Sequence, residues 1–245
     1  MSSYSGAFAR FYDRLTYNIN YKKRAEYFKK LADIYGGGGR LLDLACGTGS
    51  LSVEFAALGY DVTAVDASED MLSVAVSKSK GGIFFVRQRM ERLSLIKSVD
   101  VAVCALDSLN HIIKAENARR VFERVSLFLN QGGVFIFDVN TLYKHTQILG
   151  NNIFLYDLPE VYCVWQNEYD AKNFTTTIDL DIFAPEKTGL YSRCSERFKE
   201  RFYSGGEIKA FAEESGLDLV AVYEADSENA PAADAERLVY ICRKR

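Results

Sequence analysis

Leu41-Leu42-Asp43-Leu44-Ala45-Cys46-Gly47-Thr48-Gly49 is the stretch that decides the fold. It begins as an apolar run, the pattern of a strand buried in a parallel sheet, with one acid inside it. It ends in Gly47-Thr48-Gly49, where small residues let the backbone turn sharply and approach a ligand closely. Ser50 follows as an expected N-cap, and Leu51, Val53, Phe55 and Leu58 mark an amphipathic helix. Strand, glycine turn and helix make the first half of a nucleotide-binding unit. A plain strand-to-helix turn would account for the glycines alone. The next strand, Asp61-Val62-Thr63-Ala64-Val65-Asp66, adds the deciding acid. Asp66 falls about 20 residues past the turn, where such a unit sets its ribose-binding carboxylate.

Moving outward, 245 residues suit one large domain or one domain carrying an insertion. A net charge of -3 argues against a general nucleic-acid binder, which would present a basic face. The five cysteines, Cys46, Cys104, Cys163, Cys194 and Cys242, are scattered, with no CxxC and no histidine at metal spacing. Their odd count suggests reduced thiols. With no signal peptide and no run of about 20 apolar residues, the expected location is cytoplasmic, with no membrane partner.

In the N-terminal direction, residues 1–36 are expected to be helical, with Phe8, Phe11, Tyr12 and Leu15, then Tyr21, Ala25, Phe28 and Leu31, at helical spacing. Gly36 to Gly39 breaks that cover from the first strand. Asp43, inside its strand, is expected to accept hydrogen bonds from the amides of the Gly47–Gly49 turn or to contact the ligand, because an unpaired buried charge is costly.

In the C-terminal direction, Ser68 caps a second helix with Met71 in its first turn. A third strand runs from Ile83 to Val86. Arg87, Arg89 and Arg92 then form either a solvated surface or a site for an anion. A fourth strand, Asp100 to Leu106, points its C-terminal end, with Asp107, Ser108, Asn110 and His111, into the crevice where open α/β sheets bind ligands. A helix from Ala115 to Leu129, a Gln131-Gly132-Gly133 turn and a fifth strand, Val134 to Val139, lead to Asp138-Val139-Asn140-Thr141. Residues 142–203 change to period-two alternation rich in aromatics and threonine, which predicts an antiparallel sheet with a hairpin tip at Lys187-Thr188-Gly189. His145, Trp165, Tyr169, Tyr191, Arg197 and Arg201 are its candidates for ligand contact. Ser204 and Glu207 form a capping box for a last helix. Leu217 to Tyr223 and Arg237 to Cys242 close the sheet as an edge hairpin around a mobile loop, 225–235.

LLDLACGTG with VTAVDAS resembles motif I and the following acidic motif of class I S-adenosylmethionine-dependent methyltransferases. Phe11-Tyr12-Asp13-Arg14-Leu15, Asn20-Tyr21-Lys22-Lys23, Leu106-Asp107-Ser108-Leu109-Asn110-His111 and Phe137-Asp138-Val139-Asn140 extend the likeness to a small bacterial subgroup with an inserted β-rich lid. The resemblance implies an α/β fold with a Rossmann-like, seven-stranded, mostly parallel sheet, helices on both faces and an antiparallel insertion after strand five. It divides the chain into a helical cover (1–36), a cofactor domain (37–141 and 204–245) and a lid (142–203). It implies S-adenosylmethionine as cofactor, with Tyr12, Tyr21, Asp43, Ala45, Cys46, Gly47, Asp66, Ala67, Met71, Arg89, Met90, Leu106 and Asp107 around it. Ala45 stands where motif I usually has glycine. Arg89 stands where related enzymes carry an adenine-binding aspartate, and a guanidinium cannot accept that bond. Tyr12, Asp107 and His111 are the candidate base or positioning residues, and no metal is expected. The acceptor is expected to be a small molecule, since Asp107-Ser108-Leu109-Asn110 lacks the two prolines of the DNA amino-methyltransferase motif. A monomer or homodimer is expected. Two other readings stay open at this level: a nicotinamide-dependent oxidoreductase, and a cofactor-binding or interaction protein without catalysis.

Overall fold

The computed structural model describes residues 6–245, so the first five residues of the expected helical cover lie outside the described residues. In chain order the elements are α1 (Gly6–Leu15), α2 (Tyr21–Tyr35), β1 (Arg40–Leu44), α3 (Ser50–Ala57), β2 (Asp61–Asp66), α4 (Glu69–Lys78), β3 (Ile83–Arg87), β4 (Val99–Cys104), α5 (Ala115–Phe128) and β5 (Leu129–Asn140). There follow β6 (Ile153–Leu158), β7 (Val161–Asp170), β8 (Thr175–Pro185), β9 (Tyr191–Arg201), α6 (Gly205–Glu214), β10 (Leu217–Glu224) and β11 (Arg237–Lys244).

Seven strands form one sheet in the order β3-β2-β1-β4-β5-β11-β10. The first five run parallel, and β11 enters antiparallel beside β5. Alternation along the strands feeds two cores. Leu41, Val62, Val101 and Ile136 pack under α2 and α3. Leu42, Leu44, Ala102 and Phe137 pack under α5 and α6. The strand order reverses between β1 and β4, which opens a crevice above their C-terminal ends.

The expected antiparallel insertion is present as a second sheet, β6-β7-β8-β9. Its inner face turns Cys163, Trp165, Ile178, Leu180 and Phe198 onto α1 and onto Met71 of α4. The π-helical turn Lys144–Leu149 precedes the sheet, so the insertion is not strand throughout. The capping box of α6 is formed as predicted.

Three local expectations are corrected. Gly49, not Ser50, is the N-cap of α3, because its left-handed φ of 73° turns the chain one residue earlier. The Gln131–Gly133 turn lies inside β5 as a bulge. Pairing with β4 jumps from Val99↔Leu129 to Val101↔Val134, and Gly132 takes a φ of 73° to absorb the extra residues. The 225–235 segment is tied to α2: the Tyr27 hydroxyl donates to the Ser227 carbonyl at 2.7 Å, Arg24 pairs with Asp226, and Lys30 pairs with Glu228.

Candidate active site

The turn after β1 is a chain of left-handed residues: Ala45 at φ 60°, Gly47 at 54° and Gly49 at 73°. Glycine is required at Gly49, where a Cβ would meet the Ala75 Cβ at 2.8 Å. A Cβ on Gly47 would meet nothing within 4 Å, so its backbone faces open space. Ala45 tolerates the same hand at a cost of about 1 kcal/mol. Asp66 ties the turn to the next loop. Its Oδ2 accepts from the Gly47 amide at 2.9 Å and its Oδ1 from the Ser68 amide at 2.8 Å. Burial raises the Asp66 carboxyl above its ordinary value, against the pull of these amides.

Asp43 does not accept from the turn amides as the sequence suggests. Its Oδ2 accepts from the Ser52 hydroxyl at 2.5 Å, one turn into α3. Burial, only partly offset by that hydroxyl, pushes its carboxyl up to about 7. On the solvent side Asp13 of α1 fastens the helical cover to the turn. It accepts from Thr48 Oγ1 at 2.6 Å and from Ser50 Oγ at 3.3 Å, and pairs with Lys78.

A cavity of about 540 Å³ lies between the strand ends and the second sheet, within the size range of small-molecule sites. Of the residues expected from sequence, Tyr12, Ala45, Gly47, Asp66, Ala67, Met71, Met90, Leu106, Asp107 and His111 line it. Tyr21, Asp43 and Cys46 line a smaller recess that shares Tyr12, Ala45 and Gly47. Arg89 lines neither and is ion-paired to Glu91 at 2.5 Å. Among the lid candidates only Trp165 faces the cavity. Buried His145 is held by Thr176 Oγ1 at 2.8 Å, Arg197 pairs with Asp179, and Arg201 pairs with Glu207. Tyr191 borders a separate surface hollow, and Tyr169 lines neither the cavity nor the recess.

The far end of the cavity is built on Asp138. This fully buried acid accepts from the Leu106 amide at 3.0 Å and the Asp107 amide at 2.6 Å. Those bonds hold Leu106 and Asp107 in consecutive left-handed conformations, φ 57° and 53°, and so aim the Asp107 carboxylate into the cavity. Arg24 at 3.3 Å and Arg237 at 3.6 Å neutralise Asp138. Arg237 also grips Asp107 at 2.6 Å. Burial would raise the Asp107 carboxyl, but Arg237 first, then Lys144 and His111, hold it down to about 2. Asn140 bridges two acids through Nδ2, reaching Asp107 at 3.1 Å and Glu200 of β9 at 2.9 Å. Burial, and then the charge of Asp107, push Glu200 up to about 8. Burial lowers His111 against the pull of Asp107, favouring the neutral imidazole.

Sequence reading assigned no role to Arg24, Glu200 or Arg237. Glu200 carried one signal: along β9 it shares the inward parity of Cys194 and Phe198, where a charge is unexpected. One ligand atom each from Asp107, His111 and Glu200 also lie within 4.8 Å of one another, a cluster that sequence spacing does not reveal.

These features define a class: an α/β protein whose acid-anchored glycine turn, of the nucleotide-cofactor type, opens into a cavity that also carries ionisable side chains. A family of methyltransferase domains matches residues 41–133. A Geobacillus sp. (strain WCH70) protein, provisionally assigned by name to the methyltransferases, is 30% identical over 243 residues, spanning 97% of this chain and 98% of the relative. The crystal structure of a S-adenosylmethionine-dependent methyltransferase from Clostridium acetobutylicum ATCC 824 superposes with a TM-score of 0.88 at 30% identity, covering 97% of this chain and 98% of that one. A methyltransferase structure from Streptomyces caelestis shares the fold at 19% identity and TM-score 0.83, covering 99% and 98% of the two chains. The chain belongs to the S-adenosylmethionine-dependent methyltransferases, and its cofactor is S-adenosylmethionine. The residues fit that molecule: the open backbone at Gly47 admits close approach, and the Asp66 carboxylate, held by the main chain, lines the same cavity as an acceptor for a hydroxyl.

Proposed function

We propose that the chain transfers a methyl group to a small-molecule acceptor held between the lid sheet and the ends of β4, β5 and β11. One observation carries this reading: a single cavity is bounded by Gly47 and Asp66 at one end and by Asp107, His111 and Glu200 at the other. A bound sulfonium cofactor supplies an already activated methyl group. The protein's part is to align the acceptor lone pair with that methyl for in-line displacement, and orientation alone supplies roughly 7–11 kcal/mol in favourable cases.

In this reading Asp66 and the Gly47 turn hold the nucleoside end, and Tyr12, Met71 and Met90 enclose it. Tyr21, Asp43 and Cys46 shape the recess beside the turn. Arg89 serves the surface. Asp107 and His111 orient the acceptor. The lid covers the acceptor with Tyr156, Trp165 and Phe198, which face the same cavity. The free cysteines support a cytoplasmic location, and the net charge of -3 supports a substrate other than nucleic acid. No helix among the described residues is long and apolar enough to cross a membrane. We assign the working unit as a monomer or homodimer.

Calorimetric titration with S-adenosylhomocysteine tests the reading. Micromolar binding is expected, weakened at least tenfold in Asp66→Ala, because the turn at Gly47 and the loop at Ser68 lose their common acceptor. Absence of binding to the wild-type protein would overturn it.

A further inference from the structure

We propose that the acceptor is an alkyl amine that enters as an ammonium ion, and that Glu200 is the catalytic residue that removes its proton. This rests on the methyltransferase reading of the same cavity and adds the acceptor's chemical class and a base that the sequence did not indicate.

The charge pattern of the cavity wall carries the argument. Five carboxylates line it: Asp66, Asp107, Glu200, Asp226 and Glu236. Three cations line it: Arg24, Lys144 and Arg237. Each cation is taken, Arg24 by Asp226 and Asp138, Lys144 by Glu236, and Arg237 by Asp107 and Asp138. Asp66 is held by backbone amides. Among the described residues Glu200 alone of the five has neither a salt bridge nor an amide of the main chain; its partners are Asn140 and the Asp107 carboxyl. Buried Glu200 and partly buried Asp107 face each other and share a proton, because two such carboxyls cannot both ionise cheaply. An ammonium group can replace that proton and restore the balance. The lid walls the same space with Trp165, stacked with Tyr156 at 6.2 Å, and with Phe198, whose ring lies 5.1 Å from that of His111. Aromatic faces suit a cation.

Oxygen acceptors meet the opposite field. A phenol or alcohol must shed a proton and become negative beside Asp107 and Glu200. Tyr12, a phenol already in this cavity, shows the effect. Burial, then Tyr21 and Asp107, push its ionisation well above the ordinary value. An amine only passes from cation to neutral, a change that Glu200 can drive. Amines ionise at roughly 8 to 10, within reach of a carboxyl raised to about 8. Facing Glu200 are Asp107 and His111 from the segment after β4, Asn140 from β5 and Arg237 from β11. Arg237 opposes the upward shift, and Asp107 outweighs it.

The step balances. Ammonium binding releases the shared proton to solvent. The Glu200 carboxylate then takes one N–H proton and leaves a neutral amine. Its lone pair forms the N–CH3 bond as the C–S bond breaks, and that electron pair stays on sulfur. The products are a methylammonium ion, a neutral thioether and protonated Glu200.

The test supplies S-adenosylmethionine with benzylamine, cyclohexylamine and tyramine, and with benzyl alcohol and cyclohexanol as oxygen counterparts. Products are read by mass spectrometry. N-methylation of at least one amine, with at least tenfold less O-methylation, is expected; tyramine reports both outcomes in one molecule. Transfer to oxygen at comparable rates, or to none of these amines, overturns the proposal. Binding of S-adenosylhomocysteine in the same preparation separates this failure from failure of the methyltransferase reading. Glu200→Gln is expected to lower kcat by about 10²–10⁴ on the accepted amine, with S-adenosylhomocysteine affinity unchanged. The rise of kcat/KM through about pH 8 should disappear with it, and Glu200→Asp should restore part of the rate. A Glu200→Gln enzyme with wild-type kcat and pH profile overturns the role of Glu200. Activity that requires Mg2+ and is lost with EDTA overturns it as well, by giving Asp107, His111 and Glu200 to a cation.

Discussion

The two ends of the cavity are held together by different means. At the cofactor end one acid, Asp66, binds amides at Gly47 and Ser68, partners 19 and 2 residues away in sequence. Main-chain donors and small residues meet most of the polar demand there. At the acceptor end Asp138, Asp107, Asn140, Glu200, Arg24 and Arg237 form a charged network, and the Arg237–Asp107 bond spans 130 residues. The first end is a local design that needs only two neighbouring strands and the turn and helix that join them. The second is assembled from three strands, the segment after β4 and a helix, and every member depends on a partner from elsewhere. Loss of one member should therefore be felt globally at the acceptor end and locally at the cofactor end.

The largest expected effect tests that asymmetry. Asp138→Ala strips two amides and two guanidinium groups of their common acceptor and should cost about 3–5 kcal/mol in denaturant unfolding. The same measurement on Asp66→Ala should show about 1 kcal/mol, since its amides border an open cavity. Equal losses would break the comparison.

Next comes a pH effect at the acceptor end. Glu200 ionises in the folded protein at about 8, above its ordinary 4.5. Its stabilising contribution is complete below about pH 4.5 and fades as the pH rises through 8. Glutamine does not ionise, so the thermal midpoint of Glu200→Gln should gain on wild type between about pH 4.5 and 8 and hold level above that. A constant difference would mean that Glu200 titrates normally.

Ala45→Gly sharpens the comparison from the other side. It relieves the left-handed strain at φ 60° and should stabilise the fold by about 0.5–1 kcal/mol after the entropy of the unfolded glycine is counted. A raised midpoint with unchanged cofactor binding is the expected result. The smallest effect belongs to Arg89→Ala. Its partner is Glu91 and it lines neither the cavity nor the recess. S-adenosylhomocysteine affinity should change less than about twofold, or 0.4 kcal/mol. A tenfold loss would place Arg89 on the nucleoside after all.

Legibility in the sequence follows the same division. β1, its turn, α3 and β2 were readable because their signals are local periodicities and a glycine pair. The lid sheet was readable from alternation, and α6 from its capping box. The details that failed depend on geometry finer than pattern. A left-handed Gly49 takes the cap from Ser50, and the start of α3 then carries Ser52 rather than a turn amide to Asp43. The acid site at the far end was only half visible. Asp107 and His111 stood at a strand end, where ligands are expected. Glu200 and Arg237 sit in strands whose neighbours are set by topology, and β11 inserts between β5 and β10. Nothing in the local spacing announces that insertion. The 225–235 segment read as free because Arg24, Tyr27 and Lys30, which tie it down, lie 198 to 202 residues earlier.

The grip of Asp138 on the Leu106–Asp107 loop also sets an order of birth. On the ribosome Asp138 emerges when Arg24 is already made, but Arg237 is still 99 residues away. At about 5–20 residues per second that is a wait of roughly 5 to 20 s. During it the nascent chain owns every residue of the cofactor turn and lacks the cation that fixes Asp107. The Arg237–Asp107 and Arg237–Asp138 pairs can therefore form only after every residue of the cofactor turn has been made.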